Sequence, residues 1–98
     1  MQLATLFVSQ RRLRNPGQIH ALVEAIQNGY PLPPVRLSED DDGSIQVEDG
    51  HHRTTAYWIA GTHQLSSHQY LLLPVSERPR HRFGTLRDFV SRNAPAGI

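Results

Sequence analysis

The sequence predicts a small α+β domain, built on a mixed sheet with two to three helices. Short segments rich in β-branched and apolar residues alternate with amphipathic helical segments, and glycine and proline mark the turns between them. The chain has 98 residues, a length that suits one hydrophobic core. The elements are predicted in the order β-α-β-β-α-β-α. We expect a single domain over residues 1–92 and a flexible tail over residues 93–98.

The first strand and the first helix are predicted at the start of the chain. Residues 3–8 are apolar and β-branched, as in a short strand. A basic segment, residues 9–14, leads to Asn15-Pro16, a pair typical of a helix N-cap followed by the first helical position. One buried helical stripe is then predicted by apolar residues at helical spacing, namely Ile19, Leu22, Val23 and Ile26. Gly29 is expected to end this helix.

A β-hairpin is predicted next. Residues 35–37 and 45–47 form the two strands, and the acidic segment 38–43 forms the turn between them. The carboxylates of this turn do not follow the spacing of an EF-hand loop, so we expect no calcium site there.

The remaining elements are a second helix, a strand and a third helix. The second helix is predicted from Gly50 to Ala60, with Gly61 as its stop. Its face toward the sheet is expected to carry His52, Ala56, Ile59 and Ala60. Residues 70–75 form the most apolar segment and are therefore predicted to be the central strand. Thr85 and Asp88 resemble a capping box before a short helix whose apolar face is Leu86, Phe89 and Val90.

The amino-acid composition of the chain excludes several classes of function. The net charge is +1 with the histidines neutral, which gives no overall nucleic-acid signature. There is no cysteine, so thiol catalysis, disulfides and a cysteine-based zinc site are excluded. Residues 70–75 are the longest apolar run, far too short to span a bilayer, and no export signal is visible. We therefore expect a cytoplasmic location and no membrane partner.

The most informative segment runs from Glu48 to Trp58, where a predicted strand turns through Asp-Gly into a helix. Such a helix start leaves backbone N–H groups without intrahelical partners, beside the positive end of the helix dipole. This arrangement predicts a phosphate or other anion site at Gly50. Arg53, one turn into the helix, is expected to add a positive fork that holds the anion.

The roles expected of Asp49, His51 and His52 follow from their positions in this turn. Asp49 either N-caps the helix and pairs with Arg53, or acts as a general base. His51 is expected to point into the pocket and contact the phosphate from its neutral ring, whereas His52 is expected either to join these phosphate contacts or to face the sheet. Because adjacent helical residues point about 100° apart, the two histidines do not chelate one metal, and we expect no metal site.

Two basic clusters and two aromatic residues complete the candidate set. Arg12 and Arg14 follow the first strand and are expected to close over a bound nucleotide. Nucleic-acid contact is predicted for Arg78, Arg80 and Arg82, although a solvated loop is the alternative for both clusters. Tyr57 and Trp58 are expected either to pack in the core or to stack on a base.

The order of elements and the motif Asp49-Gly50-His51-His52-Arg53, with Ala56 three residues later, resemble the ParB N-terminal and sulfiredoxin superfamily. The resemblance extends roughly from Leu6 to Val75 and implies a small ParB/sulfiredoxin-like fold. Members hold nucleotide phosphates on a Gly-x-x-Arg turn, which implies this role for Gly50 and Arg53.

Differences among members of that superfamily refine the expectation. Sulfiredoxins carry a catalytic cysteine after the glycine, where this chain has His51, so sulfiredoxin chemistry is excluded. Chromosome-partition ParB proteins bind CTP on a Gly-Glu-Arg-Arg turn, and His51 and His52 replace the Glu and the first Arg here. Archaeal free-serine kinases carry an Asp-Gly-His-x-Arg turn, which implies a catalytic role for Asp49. Their second carboxylate, in the loop after the first strand, has no counterpart in residues 9–14.

The leading hypothesis is therefore a nucleotide- or phosphate-binding domain that takes ATP, ADP or CTP together with Mg²⁺. If the site is catalytic, the expected reaction class is phosphoryl transfer or phosphodiester hydrolysis, with Asp49 and His51 as the catalytic residues. The alternative is a nucleic-acid-binding module or ParB-like nuclease. A further alternative is a regulatory or interaction protein that keeps the fold without the chemistry.

Overall fold

The computed structural model describes residues 1–74 and 82–95 and confirms the predicted class, an α+β domain with a mixed sheet. A short 3-10 turn, Leu3–Thr5, precedes the first strand. The strands are β1 (Leu6–Val8), β2 (Val35–Glu39), β3 (Ile45–Asp49) and β4 (Tyr70–Leu73). The helices are α1 (Gln18–Gln27), α2 (His51–Ile59) and α3 (Leu86–Asn93).

The four strands form one sheet in the order β1-β3-β2-β4. The predicted hairpin is confirmed, since β2 and β3 pair antiparallel, with a register shift between Arg36 and Leu37. β1 lies parallel to β3, and β4 lies parallel to β2. The carboxyl ends of β1 and β4 therefore point in opposite directions along the sheet.

The prediction that residues 70–75 form the central strand is wrong. Within the described residues, β4 pairs only with β2 and lies at the edge of the sheet. The side chains of Leu71 and Leu72 are 54% and 46% exposed, as expected of an edge and not of a centre. The hairpin occupies the centre because both of its outer edges are paired, one with β1 and the other with β4. The predicted end of this strand at Val75, and residues 96–98 of the predicted tail, lie outside the described residues.

The core lies where the helices pack against the sheet. The predicted stripe of α1 is confirmed, with Ile19 and Val23 buried and its other two members half-buried. The predicted buried face of α2 is confirmed in part, because Ala56 is buried and Ile59 and Ala60 are half-buried against the core, whereas His52 lines a cleft in another part of the molecule. The buried residues of α2 are His51, Thr54, Thr55, Ala56 and Tyr57. Thr54 can be buried because its hydroxyl donates to the carbonyls of Gly50 and His51, at 3.0 and 3.2 Å.

Helix boundaries depend on local capping. α1 begins at Gln18, later than predicted, because Asn15 and Pro16 form a turn in which their carbonyls accept from Gln18 and Ile19. The cap of α3 is confirmed, since Thr85 Oγ1 accepts from the Asp88 N–H at 3.2 Å. Asn93, which the sequence assigned to the tail, is the last residue of α3.

The two ends of the described chain meet at β1. The Val8 N–H donates to the Gly84 carbonyl at 2.9 Å, and the Phe83 N–H donates to the Val8 carbonyl at 3.0 Å. Phe7 forms a further bridge with Thr85. The outer edge of β1 is thereby covered by residues that lead into α3.

None of the three helices of the described residues has the length and apolar character that crossing a bilayer requires.

Candidate functional site

The start of α2 opens onto a cleft of about 420 Å³. Its walls come from the end of β3, the first turn of α2, the N-terminal part of α1 and the loop of residues 9–15, which we call the arginine loop. The structure brings six of the sequence-predicted site residues to this cleft, namely Arg14, Asp49, Gly50, His51, His52 and Arg53. Arg12 and Arg82 do not line it.

Gly50 makes the turn from β3 into α2. Its φ of +111° lies in a region that L-residues with side chains rarely adopt. A Cβ atom at this position would lie 2.8 Å from Val35 Cγ1, so the strand β2 also requires glycine here. Gly50, and not Asp49, is the N-cap residue, and no side chain of the described residues caps α2. The residues that carry the first N–H groups of this helix thus line an open cleft without a side-chain cap.

Arg53 is held mainly by the protein itself. Its Nη1 donates to the carbonyls of Pro33 and Pro34, at 2.7 and 2.9 Å. Its Nη2 lies 3.6 Å from Asp49 Oδ2, which is the predicted i, i+4 ion pair. Because these contacts fix the guanidinium beside Gly50, Arg53 shapes the cleft and contributes positive charge with only part of its donor capacity left for a ligand.

The His51 side chain does not point into the cleft as predicted. The residue is 4% exposed, and its Nε2 accepts from the Ser9 N–H at 3.1 Å. Its ring packs against Phe89, with the ring centroids 5.6 Å apart. Since a backbone N–H can only donate, His51 Nε2 carries no proton and is not available as a base toward a ligand. His51 contributes to the cleft lining while its ring anchors the arginine loop.

His52 anchors the other end of the same loop and does not face the sheet. Its Nε2 accepts from the Asn15 N–H at 3.0 Å. Burial is the main cause that lowers the pKa of His52 below its ordinary value, and the charge of Arg14 acts in the same direction. Two adjacent histidines therefore act as acceptors for the first and last residues of the arginine loop.

Asn93 provides a third anchor for the arginine loop. Its side-chain amide nitrogen donates to the Arg11 carbonyl at 3.2 Å and to the Phe89 carbonyl at 2.8 Å. Its oxygen accepts from the Leu13 N–H at 3.4 Å. The loop thus has a defined path across the cleft although it contains no helix or strand.

Arg14 and Arg12 differ in what they can contact. Arg14 lines the cleft, and its guanidinium forms no ion pair or hydrogen bond with any residue of the described ranges. Arg12 is exposed outside the cleft, and its carbonyl accepts from Gln10 Nε2 at 2.8 Å. Arg14 is therefore the cation of the loop that is placed for a ligand.

The cleft also has a second carboxylate, which the sequence reasoning missed. Glu48 lines it beside Asp49, whose side chain is 70% exposed. The resemblance places the partner carboxylate in the loop after the first strand, where residues 9–14 have none. Glu48 could have been predicted from its position next to Asp49 in the sequence, because β3 ends at this cleft and brings both residues to it.

The other candidate residues lie elsewhere. Tyr57 is 4% exposed, which confirms the packing alternative. Trp58 is half-buried near the far end of α2 and does not line the cleft. Arg82 donates to Asp40 Oδ2 at 2.9 Å, also bonds Ser44 Oγ, and lies over the Phe7 ring at 4.3 Å. Its charge is therefore paired with the acidic turn. Arg78 and Arg80 lie outside the described residues.

The acidic turn is ordered by its own hydrogen bonds. The Ser44 hydroxyl and N–H donate to Asp42, and together with Arg82 they lower the pKa of Asp42 to about 2.

Among residues 1–74 and 82–95 there is no group of three histidine, aspartate or glutamate side chains arranged to hold a metal ion.

Comparison with known proteins gave no assignment. No protein-family model matches the chain, and neither the curated proteins nor the solved structures include a significant match. The resemblance to the ParB and sulfiredoxin superfamily thus stays a prediction from the motif and the order of elements.

The His52 contact predicts a pH dependence of stability. The pKa of His52 is lower in the folded state than in the unfolded state. On acidification the unfolded chain therefore takes up this proton at a higher pH than the folded chain does. The contribution of His52 to the free energy of unfolding is complete above pH 6.5, its ordinary pKa. This contribution decreases as the pH falls toward the pKa of His52 in the folded state. We expect the free energy of unfolding, measured in urea at about pH 7.5 and about pH 5.5, to fall on acidification.

The variant His52→Gln should reduce that fall, whereas His20→Gln, at an exposed position on α1, should leave it unchanged. An equal pH dependence in the wild type and His52→Gln would contradict the assignment to His52.

Proposed function

We propose that this protein binds a phosphate-bearing ligand, a nucleotide in particular, in the cleft at the start of α2. The observation that carries the proposal is the juxtaposition, on one open cleft, of a helix start without a side-chain cap and the guanidinium of Arg14, neither of which has a partner side chain among the described residues. Backbone N–H groups at a helix start and an arginine fork are complementary to phosphate oxygens. A volume of about 420 Å³ lies within the range of small-molecule sites.

The roles of the residues follow from what each is already bonded to. Arg14 is the group proposed to contact the phosphate directly, while Arg53 supplies charge and fixes the turn through the Pro33 and Pro34 carbonyls. His51 and His52 hold the arginine loop in place. This assignment moves the direct contact from Arg53, where the motif suggested it, to the arginine loop.

Mg²⁺ fits the donor set of the cleft when it arrives with the nucleotide. Glu48 and Asp49 both line the cleft, and carboxylate oxygens together with phosphate oxygens are the ligands that Mg²⁺ prefers. The ion would offset repulsion between these carboxylates and the phosphates. Asp49 is the residue we propose as general base for phosphoryl transfer to a bound hydroxyl, and we place the activity in the cytoplasm, where nucleotides are abundant.

Calorimetric titration of the protein with ATP, ADP and CTP, each with and without Mg²⁺, tests the proposal. We expect binding of at least one nucleotide, and a loss of affinity of about 10- to 100-fold in Arg14→Gln, the usual effect of removing a hydrogen bond to a charged group.

The neighbouring variant Arg12→Gln is the matched control, since it removes the same charge from the same loop but outside the cleft. Equal losses in both variants would indicate a general charge effect and would refute the assignment to the cleft. So would the absence of heat with all three nucleotides.

A further inference from the structure

A second cavity, of about 400 Å³, lies on a different part of the molecule. It is bounded by the 3-10 turn, the last turn of α2, the loop that follows α2, and the start of α3. It shares no lining residue with the cleft at Gly50. Its size is again in the range of sites for small molecules, so it requires its own functional explanation.

An aromatic surface and a cation face this cavity together. Trp58 is half-buried and lines it, and the Arg87 guanidinium lies 5.8 Å from the centre of the Trp58 ring. A cation–π contact of this length restrains the arginine while leaving its N–H groups available. Arg87 forms no ion pair with any residue of the described ranges, unlike Arg53 and Arg82.

The rim of the cavity adds neutral hydrogen-bonding groups on a fixed backbone. The Leu3 N–H donates to the His63 carbonyl at 3.0 Å, and the Leu65 N–H donates to the Met1 carbonyl at 2.7 Å. Between these two bonds, the backbones of Gln2 and Gln64 pair in an antiparallel β-bridge. The backbone of both walls is thus paired internally. The side-chain amides of Gln2 and Gln64 have no hydrogen-bond partner within residues 1–74 and 82–95, so both can bond to a ligand.

We propose that this cavity binds a small planar molecule that carries a carboxylate. The flat part stacks on the Trp58 indole, because an aromatic face gains most from a flat apolar partner. The carboxylate pairs with the edge of Arg87, whose planar fork matches two carboxylate oxygens. The Gln2 and Gln64 amides provide the remaining polar contacts. This site is independent of the proposed nucleotide cleft.

Trp58 makes the proposal directly measurable. It is the single tryptophan of the chain, so its indole N–H gives one assignable peak in a ¹H–¹⁵N correlation spectrum. The titrant is benzoate, with three comparison compounds: benzamide lacks the charge, cyclohexanecarboxylate lacks the flat ring, and phenyl phosphate replaces the carboxylate. We expect benzoate to shift the indole peak in a saturable manner, and each comparison compound to bind at least about tenfold more weakly.

Two variants locate the binding. Arg87→Gln should weaken benzoate binding by about 10- to 100-fold, whereas Arg92→Gln, on the same helix but outside the cavity, should not change it. Both positions are exposed, so both variants should fold, and the remaining peaks of the spectrum verify this. Arg14→Gln should also leave benzoate binding intact, which separates this site from the nucleotide cleft.

Four results would overturn the proposal. The first is an indole peak that does not shift in a saturable manner with benzoate, and the second is equal affinity for benzoate and benzamide. The third is benzoate binding that Arg87→Gln does not weaken, and the fourth is tighter binding of phenyl phosphate than of benzoate.

Discussion

Gly50→Ala is expected to destabilise the fold more than alanine at any other glycine within residues 1–74 and 82–95. The backbone at this position has a φ of +111°, and a strained residue of this kind costs about 1–3 kcal/mol. The new Cβ would also lie 2.8 Å from Val35 Cγ1, and overpacking of a buried site costs about 1–3 kcal/mol more. A loss of roughly 2–6 kcal/mol would remove much of the stability of a domain of this size.

Gly61→Ala is the matched control for the strain alone. Gly61 has a φ of +87°, and its added Cβ would meet no atom within 4 Å. Urea unfolding of the two variants should therefore show a smaller loss for Gly61→Ala, and the difference measures the contact with Val35. If both variants lose the same free energy, the close approach of β2 to the turn has no energetic consequence.

The functional consequence of Gly50→Ala is equally specific. The same Cβ would lie 3.2 Å from Arg53 Nη2, so the guanidinium would have to move along with β2. Even where the variant stays folded, the helix start and its arginine are displaced together. We therefore expect nucleotide affinity to fall in any folded fraction, measured by the same titrations as for Arg14→Gln.

His51→Phe is expected to have the next largest effect, a loss of about 1–3 kcal/mol in the free energy of unfolding. Phenylalanine keeps a ring of similar size against Phe89 but cannot accept a hydrogen bond. The Ser9 N–H, which is partly buried, then loses the acceptor that His51 Nε2 provides. An unsatisfied buried donor costs about this amount, and chemical denaturation measures it.

His52→Phe provides the comparison. It removes the acceptor of the Asn15 N–H, which is exposed and can bond to water instead, so we expect a loss of about 0.5 kcal/mol or less. Losses in the reverse order would show that burial does not decide the strength of the two contacts.

Local chemistry in the sequence was sufficient for much of the fold. The acidic turn between two β-branched segments predicted the hairpin, the spacing of Ile19 and Val23 predicted the buried face of α1, and Thr85 predicted the start of α3. Each of these features depends on residues close together in the chain. For the same reason the position of β4 was missed, since the apolar character of a strand does not say which neighbours occupy its two edges.

The candidate site was located by its motif but not in its detail. The Asp-Gly turn indicated the helix start and the i, i+4 pair of Asp49 and Arg53. The motif did not indicate the backbone groups that bond His51 and Arg53, namely the Ser9 N–H and the Pro33 and Pro34 carbonyls. Because every residue has such groups, no sequence pattern distinguishes the ones that a distant side chain will reach.

The hydrogen bonds that join Val8 to Phe83 and Gly84 also constrain when the protein can reach its native state during synthesis. A nascent chain emerges from the ribosome with its first strand available long before the segment that covers it has been translated. Until then the outer edge of that strand has no partner from this segment, and an open strand edge is a template for association with other chains. Completion of the fold is therefore expected to depend on residues 83–85, which are translated after all four strands and the first two helices.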